Sequence, residues 1–245
     1  ALQQRRDLSF IYRLGQLYDI LGFYFCFRFW VKSKKEIIAG IIGLSFLLAL
    51  VSLEMVYEKF TLRNLFSYLG GVPSSPAIRD GDIRAQGAFA HAILAGTVGG
   101  TSIGLFFALW HQKREIRKYA LIGAGASVII VFASASSGPI MTTVALFVGM
   151  TSWWVRERMR SIRWGILFML IALEIVMKAH VWYIIAKIDL TGSSTGWHRA
   201  ELINNALMHL NEWWLLGTDY TRHWMPTGVS WSPLHTDITN QYLKQ

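Results

Sequence analysis

The chain has 245 residues, of which 53% are hydrophobic and 16% are charged, and its formal net charge is +9. Soluble domains carry about 25% charged residues, so this composition favours an integral membrane protein. The single cysteine, Cys26, excludes an intrachain disulfide. The first residues, ALQQRRDLSF, lack the apolar segment of a signal peptide, and we expect the chain to be a piece of a longer protein.

The sequence of residues 1–36 leaves two placements relative to the membrane open. The aromatic-rich segment 10–30 carries Arg13, Asp19 and Arg28, each of which is costly at the middle of a bilayer. The segment is therefore either an amphipathic helix in the membrane interface or a partial N-terminal membrane segment packed inside a bundle.

Five apolar segments follow, each near the length of about 20 residues that crosses a bilayer. They are residues 37–56, 88–110, 119–134, 139–155 and 165–186. The segments 31–36, 111–118 and 156–163 that precede or separate them hold 11 of the 24 basic residues. Because five spans put these three segments on one side, the positive-inside rule predicts that this side is cytoplasmic. The basic charge is then a topology signal, and we expect no nucleic-acid partner.

The fold predicted from this pattern is all-α. It is a polytopic transmembrane helical bundle over residues 37–186, in contact with membrane lipids. Residues 187–245 form a large external loop, which contains an amphipathic helix, and the start of a next helix. The third segment, 119–134, is short enough to be a core helix on length alone.

The external helix is predicted from TGWHRAELINNALMHLNEWW, residues 195–214. On a helical wheel one face collects the apolar residues Leu202, Ile203, Ala206, Leu207, Leu210, Trp213 and Trp214. Arg199 lies in the middle of this apolar face, so we predict that it points at the membrane domain. Three interpretations are open. Arg199 lies outside the helix proper, or its stem packs while its head reaches lipid phosphate, or it binds a phosphate-bearing ligand together with the amides of the helix N-terminus.

Other residues of the predicted external side have similar chemistry. Arg84 lies just before a span and His91 one turn into it, while Arg222, His223 and His235 lie near the end of the chain. The aromatic residues Trp197, Trp224 and Trp231 either belong to an interfacial belt or stack on sugar rings.

Four motifs, in order and on the expected sides, resemble the O-antigen ligase and polymerase superfamily of membrane proteins, which includes exopolysaccharide polymerases. RAQGAFAHAI (84–93) is similar to its Arg-x-x-Gly-x-Phe-x-His-Pro-Ile signature, and SASSGPI (134–140) to its Ser-x-Ser-(Arg or Ser)-Gly turn. Residues 196–220 resemble the helix of its large external loop, and PLHTDITNQYL (233–243) resembles its His-Asn-x-Tyr-Leu element. Ala92 replaces the usual Pro, Thr236 the usual Asn, and Ser137 stands where ligases often have Arg, which favours the polymerase branch.

The resemblance implies a metal-independent, type C-like glycosyltransferase without cofactors. It would transfer or polymerise glycan repeat units from an undecaprenyl-pyrophosphate donor, on the external, periplasmic face of the bacterial inner membrane. The acceptor is a second glycan or, if the protein is a ligase, the lipid A core. We assign catalysis to His235, as proton acceptor, and Arg199. Substrate binding is assigned to Arg84, His91, Trp197, His198, Glu201 and Arg222.

Three other interpretations differ in class. A lipid-linked glycan flippase is suggested by Glu174 and Lys178, which lie four residues apart within a predicted span. An intramembrane serine protease would need a serine of the turn 135–138 and a histidine such as His180, but the Gly-x-Ser-Gly pattern is incomplete. A metal enzyme is not expected, because no His-Glu-x-x-His or close pair at ligand spacing occurs.

Overall fold

The computed structural model describes residues 2–79, 81–187, 196–215, 217–218, 220–225, 236 and 238. Its α-helices are α1 (Leu2–Trp30), α2 (Lys34–Thr61), α3 (Ala92–Trp110), α4 (Arg117–Ala133), α5 (Ser137–Ser152), α6 (Met159–Val176), α7 (Ile184–Lys187), α8 (Gly196–Met208) and α9 (Leu210–Trp213). Short 3-10 helices cover Leu65–Leu69, Arg114–Ile116, Trp153–Arg158 and Val181–Tyr183. The strands β1 (Ala77–Arg79) and β2 (Asp82–Arg84) form one antiparallel hairpin. The predominance of helix confirms the predicted all-α class.

Among the described residues, three helical segments are long and apolar enough to cross a membrane: Lys34–Thr61, Ala92–Trp110 and Arg114–Ala133. A fourth span is counted if the bent pair Ser137–Val176 and Val181–Lys187 is taken as one. These segments support a membrane protein. The 29-residue helix α1 is not among the candidate spans, and its choice between interface and bundle stays a prediction.

Helix α2 has clear signals at both ends. Its N-cap is Ser33, whose hydroxyl accepts from the amide of Glu36 while the Glu36 carboxylate accepts from the amide of Ser33. This reciprocal capping box satisfies amides that the first helical turn leaves unpaired. At the other end Leu62 has φ 58°, a left-handed conformation that stops the helix and turns the chain into the loop before α3.

The core of the bundle is built on close approaches at glycine. Helix α3 packs against α4 and α5, and α2 packs against α4. A Cβ placed on Gly99 of α3 would lie 2.8 Å from the carbonyl oxygen of Ser127, and one on Gly96 would lie 2.5 Å from Cγ of Pro139. A Cβ on Gly123 of α4 would lie 2.2 Å from the ring of Phe106. The hydrophobic effect does not drive association between helices that are surrounded by lipid. Such helices commonly associate at small residues, because these let the backbones approach to van der Waals contact.

The fourth and fifth predicted spans differ from the structure. The chain is helical from Ser137 to Val176, with only a 3-10 segment at Trp153–Arg158, instead of forming a loop at 156–163. Residues 156–163 contain neither Gly nor Pro, and their Arg, Glu and Met residues are good helix formers. The predicted fifth span is instead broken after Val176, where the two helical parts meet at a bend of 97°. The sidedness inferred for 156–163 therefore stays a prediction.

The amphipathic helix at 195–214 is present but shorter than predicted. Helix α8 ends at Met208 and His209 leaves the helical conformation, so the wheel does not continue into α9. Leu202 and Ala206 of the predicted apolar face are buried, whereas other residues of that face, Leu207, Leu210 and Trp214, are exposed. Arg199 is also exposed, and the prediction that it points at the membrane domain stays a prediction. The helix packs mainly against 181–187.

We predict that Gly99→Ala lowers the free energy of unfolding by about 1–3 kcal/mol, because the new methyl group overpacks against the Ser127 backbone. The matched control is Gly125→Ala on α4, where an added Cβ has no described atom within 4 Å and Ala raises helix propensity. Denaturant unfolding in detergent micelles measures both. Equal stability of the two variants would contradict the close-packing account.

Candidate functional site

One end of the bundle carries a cluster of buried polar groups. The C-terminal ends of α2 and α4, the start of α5 and the chain segment just before α3 meet here. The amide of Ala85, directly after β2, donates to the carbonyl of Ala133 at 3.2 Å, which joins the hairpin to the end of α4. Two of the motifs quoted above, RAQGAFAHAI and SASSG, are thereby brought side by side.

The carboxylate of Glu58 holds the first motif in place. Glu58 is 0% exposed, and its Oε2 accepts from the amides of Gln86 at 3.0 Å and Gly87 at 2.9 Å. Its Oε1 accepts from Nδ2 of Asn64 at 3.3 Å, and the same Nδ2 donates to the carbonyl of Gly87 at 2.8 Å. Because these bonds surround residues 86 and 87, they fix the backbone immediately after Arg84.

Gly87 of the motif has a physical requirement for glycine. Its φ is +57°, and an added Cβ would lie 3.0 Å from Cγ of Met55 and 3.3 Å from Oε2 of Glu54. A larger residue would be strained by its backbone conformation and crowded by α2. The motif glycine therefore lets the chain pass close to the end of α2.

Arg84 reaches from the hairpin to the turn between α4 and α5. Its Nη2 donates to the hydroxyl of Ser136 at 3.2 Å. Ala135, the residue before, has φ 42°, so the turn is formed by a non-glycine residue in the left-handed region. Burial, followed by the positive charge of Arg79, lowers the pKa of Arg84. An anion bound beside the guanidinium would offset both effects.

Unpaired buried atoms are concentrated at this place. Among the described residues, five buried side-chain nitrogen or oxygen atoms have no hydrogen-bond partner, and three of them belong to Glu54, Arg84 and Gln86. A buried polar group without a partner costs about 1–3 kcal/mol, so such groups usually have water or a ligand as partner. The unpaired atoms of the cluster are a guanidinium NH, a side-chain amide and a carboxylate oxygen.

The other predicted site residues are distributed over two regions. His91 is the exposed N-cap residue of α3. Trp197 and Arg199 are exposed on α8 and His198 is half-buried there, while Arg222 lies in a turn after α9. His235, the predicted proton acceptor, and Trp231 lie outside the described residues.

The structure gives two of the side chains considered above partners within the α8 region. Glu201, assigned above to substrate binding, accepts from the hydroxyl of Tyr183 at 2.7 Å and so ties α8 to the segment 181–183. Trp224, considered as an exposed aromatic, is only 5% exposed and packs with Leu202 and Ala206. It is a core residue of the α8 region rather than a belt or sugar-stacking residue.

Sequence reasoning missed Glu54 and Glu58. The available signal was their position near the end of an apolar span, where an ionisable residue usually has a partner or a function. Glu174 and Lys178 do not form the expected pair within one span, because α6 ends at Val176 and Glu174 accepts from Nδ1 of His180 at 2.7 Å. Among the described residues, no hydrogen bond joins His180 to a serine of the turn 135–138, as a nucleophile and its base would require: His180 is bonded to Glu174, and Ser136 accepts from Arg84.

One further group has metal-ligand chemistry. Among the residues that the structure describes, His209, Glu212 and His223 each offer a ligand atom, and the three atoms lie within 4.8 Å of one another. No motif spacing in the sequence indicates this group, because His223 is eleven residues from Glu212 and approaches it through the turn after α9.

We predict that Asn64→Ala destabilises the protein by about 1–3 kcal/mol, because the carbonyl of Gly87 and an oxygen of Glu58 lose a buried donor. Asn204→Ala is the control, since the described contact of that amide is a long one of 3.9 Å to the sulfur of Met208. Unfolding in micelles measures stability, and hydrogen exchange at residues 84–87 should rise only in Asn64→Ala. Unchanged exchange there would contradict the role given to the network.

A scan against protein-family models found no match to the chain, and searches of curated proteins and of solved structures found none either.

Proposed function

We propose that the chain is a membrane glycosyltransferase that transfers or polymerises glycan repeat units carried on undecaprenyl pyrophosphate. The observation that carries this proposal is the hydrogen bond between Arg84 and Ser136. It joins two segments that the resemblance to O-antigen and exopolysaccharide polymerases treats as separate motifs, 52 residues apart. Contact between them is what a shared substrate site requires.

The chemistry of Arg84 suits a pyrophosphate. Its Nε is buried without a described partner, and its charge is disfavoured by burial and by Arg79. A phosphate group would accept from the guanidinium through charge-assisted, planar hydrogen bonds. The anion would also counteract the burial and the repulsion from Arg79, which disfavour the charge of Arg84.

The reaction needs two kinds of group. The acceptor hydroxyl oxygen forms a bond to the anomeric carbon of the donor while the bond from that carbon to the pyrophosphate oxygen breaks. Negative charge grows on the leaving pyrophosphate, and a fixed guanidinium stabilises it. The hydroxyl proton passes to a base, for which His235 is proposed, and undecaprenyl pyrophosphate is released.

Residues of α8 are proposed to contact the same donor from the external loop. Arg199 is exposed in the first turn of the helix, where a cation opposes the helix dipole. A bound phosphate would offset that cost. Trp197 and His198, beside it, are proposed to contact sugar, Glu201 positions the helix through Tyr183, and Arg222 and His91 supply further polar contacts.

The acceptor decides between polymerase and ligase. Glycan analysis of a bacterial strain that lacks the gene separates them: loss of polymer identifies a polymerase, and polymer that accumulates without attachment to lipid A core identifies a ligase. Both outcomes fit transfer from the same donor on the external face of the inner membrane.

We predict that Arg84→Lys lowers the transfer rate at least about tenfold, because a point charge replaces the planar donor set that holds the leaving group. The control is Arg114→Lys, an exposed conservative change in the connection between α3 and α4. Polymer length in vivo and turnover by the purified protein measure the effect. A variant with full turnover and normal expression would remove Arg84 from the site.

For Arg199→Lys we likewise expect a loss of activity, and the loss should appear as shorter polymer at equal expression. Arg163→Lys, an exposed change on α6, serves as the matched control. Undiminished polymer length in Arg199→Lys would leave this residue with no role beyond contact with lipid headgroups.

A further inference from the structure

Two histidines and a glutamate that have no role in the proposed transfer reaction converge beside α8. His209 lies at the junction of α8 and α9, Glu212 lies on α9, and His223 lies in the turn that follows. One ring nitrogen of each histidine and one carboxylate oxygen of Glu212 lie within 4.8 Å of one another. His209 and Glu212 are three residues apart in sequence, and His223 reaches them through the turn after α9.

We propose that His209, Glu212 and His223 form a zinc site that fastens residues 220–225 to the junction of α8 and α9. Two imidazoles and one carboxylate are a ligand set that Zn²⁺ favours, with a fourth position left for water or another ligand. The site is distinct from the cluster around Arg84. A structural ion here is compatible with transfer chemistry that does not involve a metal.

The hydrogen bond of His209 prepares one of its nitrogens for a metal. Nδ1 lies 2.9 Å from the carbonyl oxygen of Asn205, an arrangement that requires a proton on Nδ1. The lone pair is then on Nε2, the nitrogen that would bind the ion. Metal-binding histidines commonly donate their second ring NH to a backbone carbonyl, because this fixes the tautomer and the orientation of the ring.

The carboxylate of Glu212 has corresponding support. Nε1 of Trp224 donates to its Oε2 at 3.0 Å, and Nε2 of His223 lies 2.9 Å from the same oxygen. These two contacts fix the orientation of the carboxylate. Because Trp224 is buried against Leu202 and Ala206, its indole is a rigid outer partner.

The distances need little adjustment to hold an ion. Four ligands at about 2.0–2.1 Å from a tetrahedral Zn²⁺ lie about 3.3 Å from one another. A move of about 1 Å per side chain brings atoms now within 4.8 Å to that separation. The side chains of Glu212 and His223 are 34% and 37% exposed, so an ion can reach them from solvent. Binding of the ion would replace the contact between His223 and Glu212.

The test is zinc binding by the purified chain in lipid nanodiscs, after removal of any polyhistidine tag and treatment with chelator. Titration against a competing zinc indicator should give one Zn²⁺ per chain. His223→Ala should weaken the affinity at least about tenfold, since loss of an outer-shell partner alone costs that much. His111→Ala is the matched control, because His111 makes the same type of bond, from Nδ1 to the carbonyl of Phe107, outside the cluster.

Two measurements on the unaltered chain keep the proposal falsifiable if a variant fails to fold. X-ray absorption at the zinc edge should report two imidazole ligands and at least one oxygen ligand. Zinc should also slow hydrogen exchange at residues 220–225. Absence of stoichiometric binding, equal loss of affinity in His111→Ala and His223→Ala, or a zinc environment without two imidazoles would each overturn the site and leave a His–Glu hydrogen bond.

Discussion

The buried carboxylate of Glu58 is the interaction on which the end of the bundle depends. It lies near the C-terminal end of α2, after the apolar stretch of that helix, and the loop amides of Gln86 and Gly87 together with the side chain of Asn64 take the place of water around it. A charge in this position is strongly destabilising unless every lone pair has a partner. The loop is therefore held in one conformation, and Arg84, two residues earlier, is carried to Ser136.

The glycine contacts of α3 act on the same region from the other side. Because Gly96 lets α3 approach Ser134 and Pro139 closely, the turn between α4 and α5 is pressed against the start of α3. Tight helix packing thus sets the position of Ser136, and the Glu58 network sets the position of Arg84. The candidate site lies where these two constraints meet, which explains why it combines close packing with unpaired polar atoms.

Much of this could be predicted from the sequence, and the failures have physical causes. Apolar length located α2, α3 and α4, because crossing a bilayer requires it. The prediction of a loop at 156–163 was wrong, since a basic segment without Gly or Pro is as compatible with a helix as with a loop. The helical-wheel prediction for 195–214 assumed one continuous helix. It is wrong beyond Met208, because the backbone leaves the helical conformation at His209. Motif spacing found Arg84 but not Glu58 or the His209 group, because their partners are distant in sequence and meet only after folding.

The most direct test is to reconstitute the purified protein in liposomes with undecaprenyl-pyrophosphate-linked glycan repeat units. Release of undecaprenyl pyrophosphate and formation of new glycosidic bonds are then measured together. A glycosyltransferase is expected to release one undecaprenyl pyrophosphate for each bond formed. Movement of the lipid-linked glycan across the bilayer, without release of undecaprenyl pyrophosphate and without a longer glycan, would identify a transporter and contradict the proposed function.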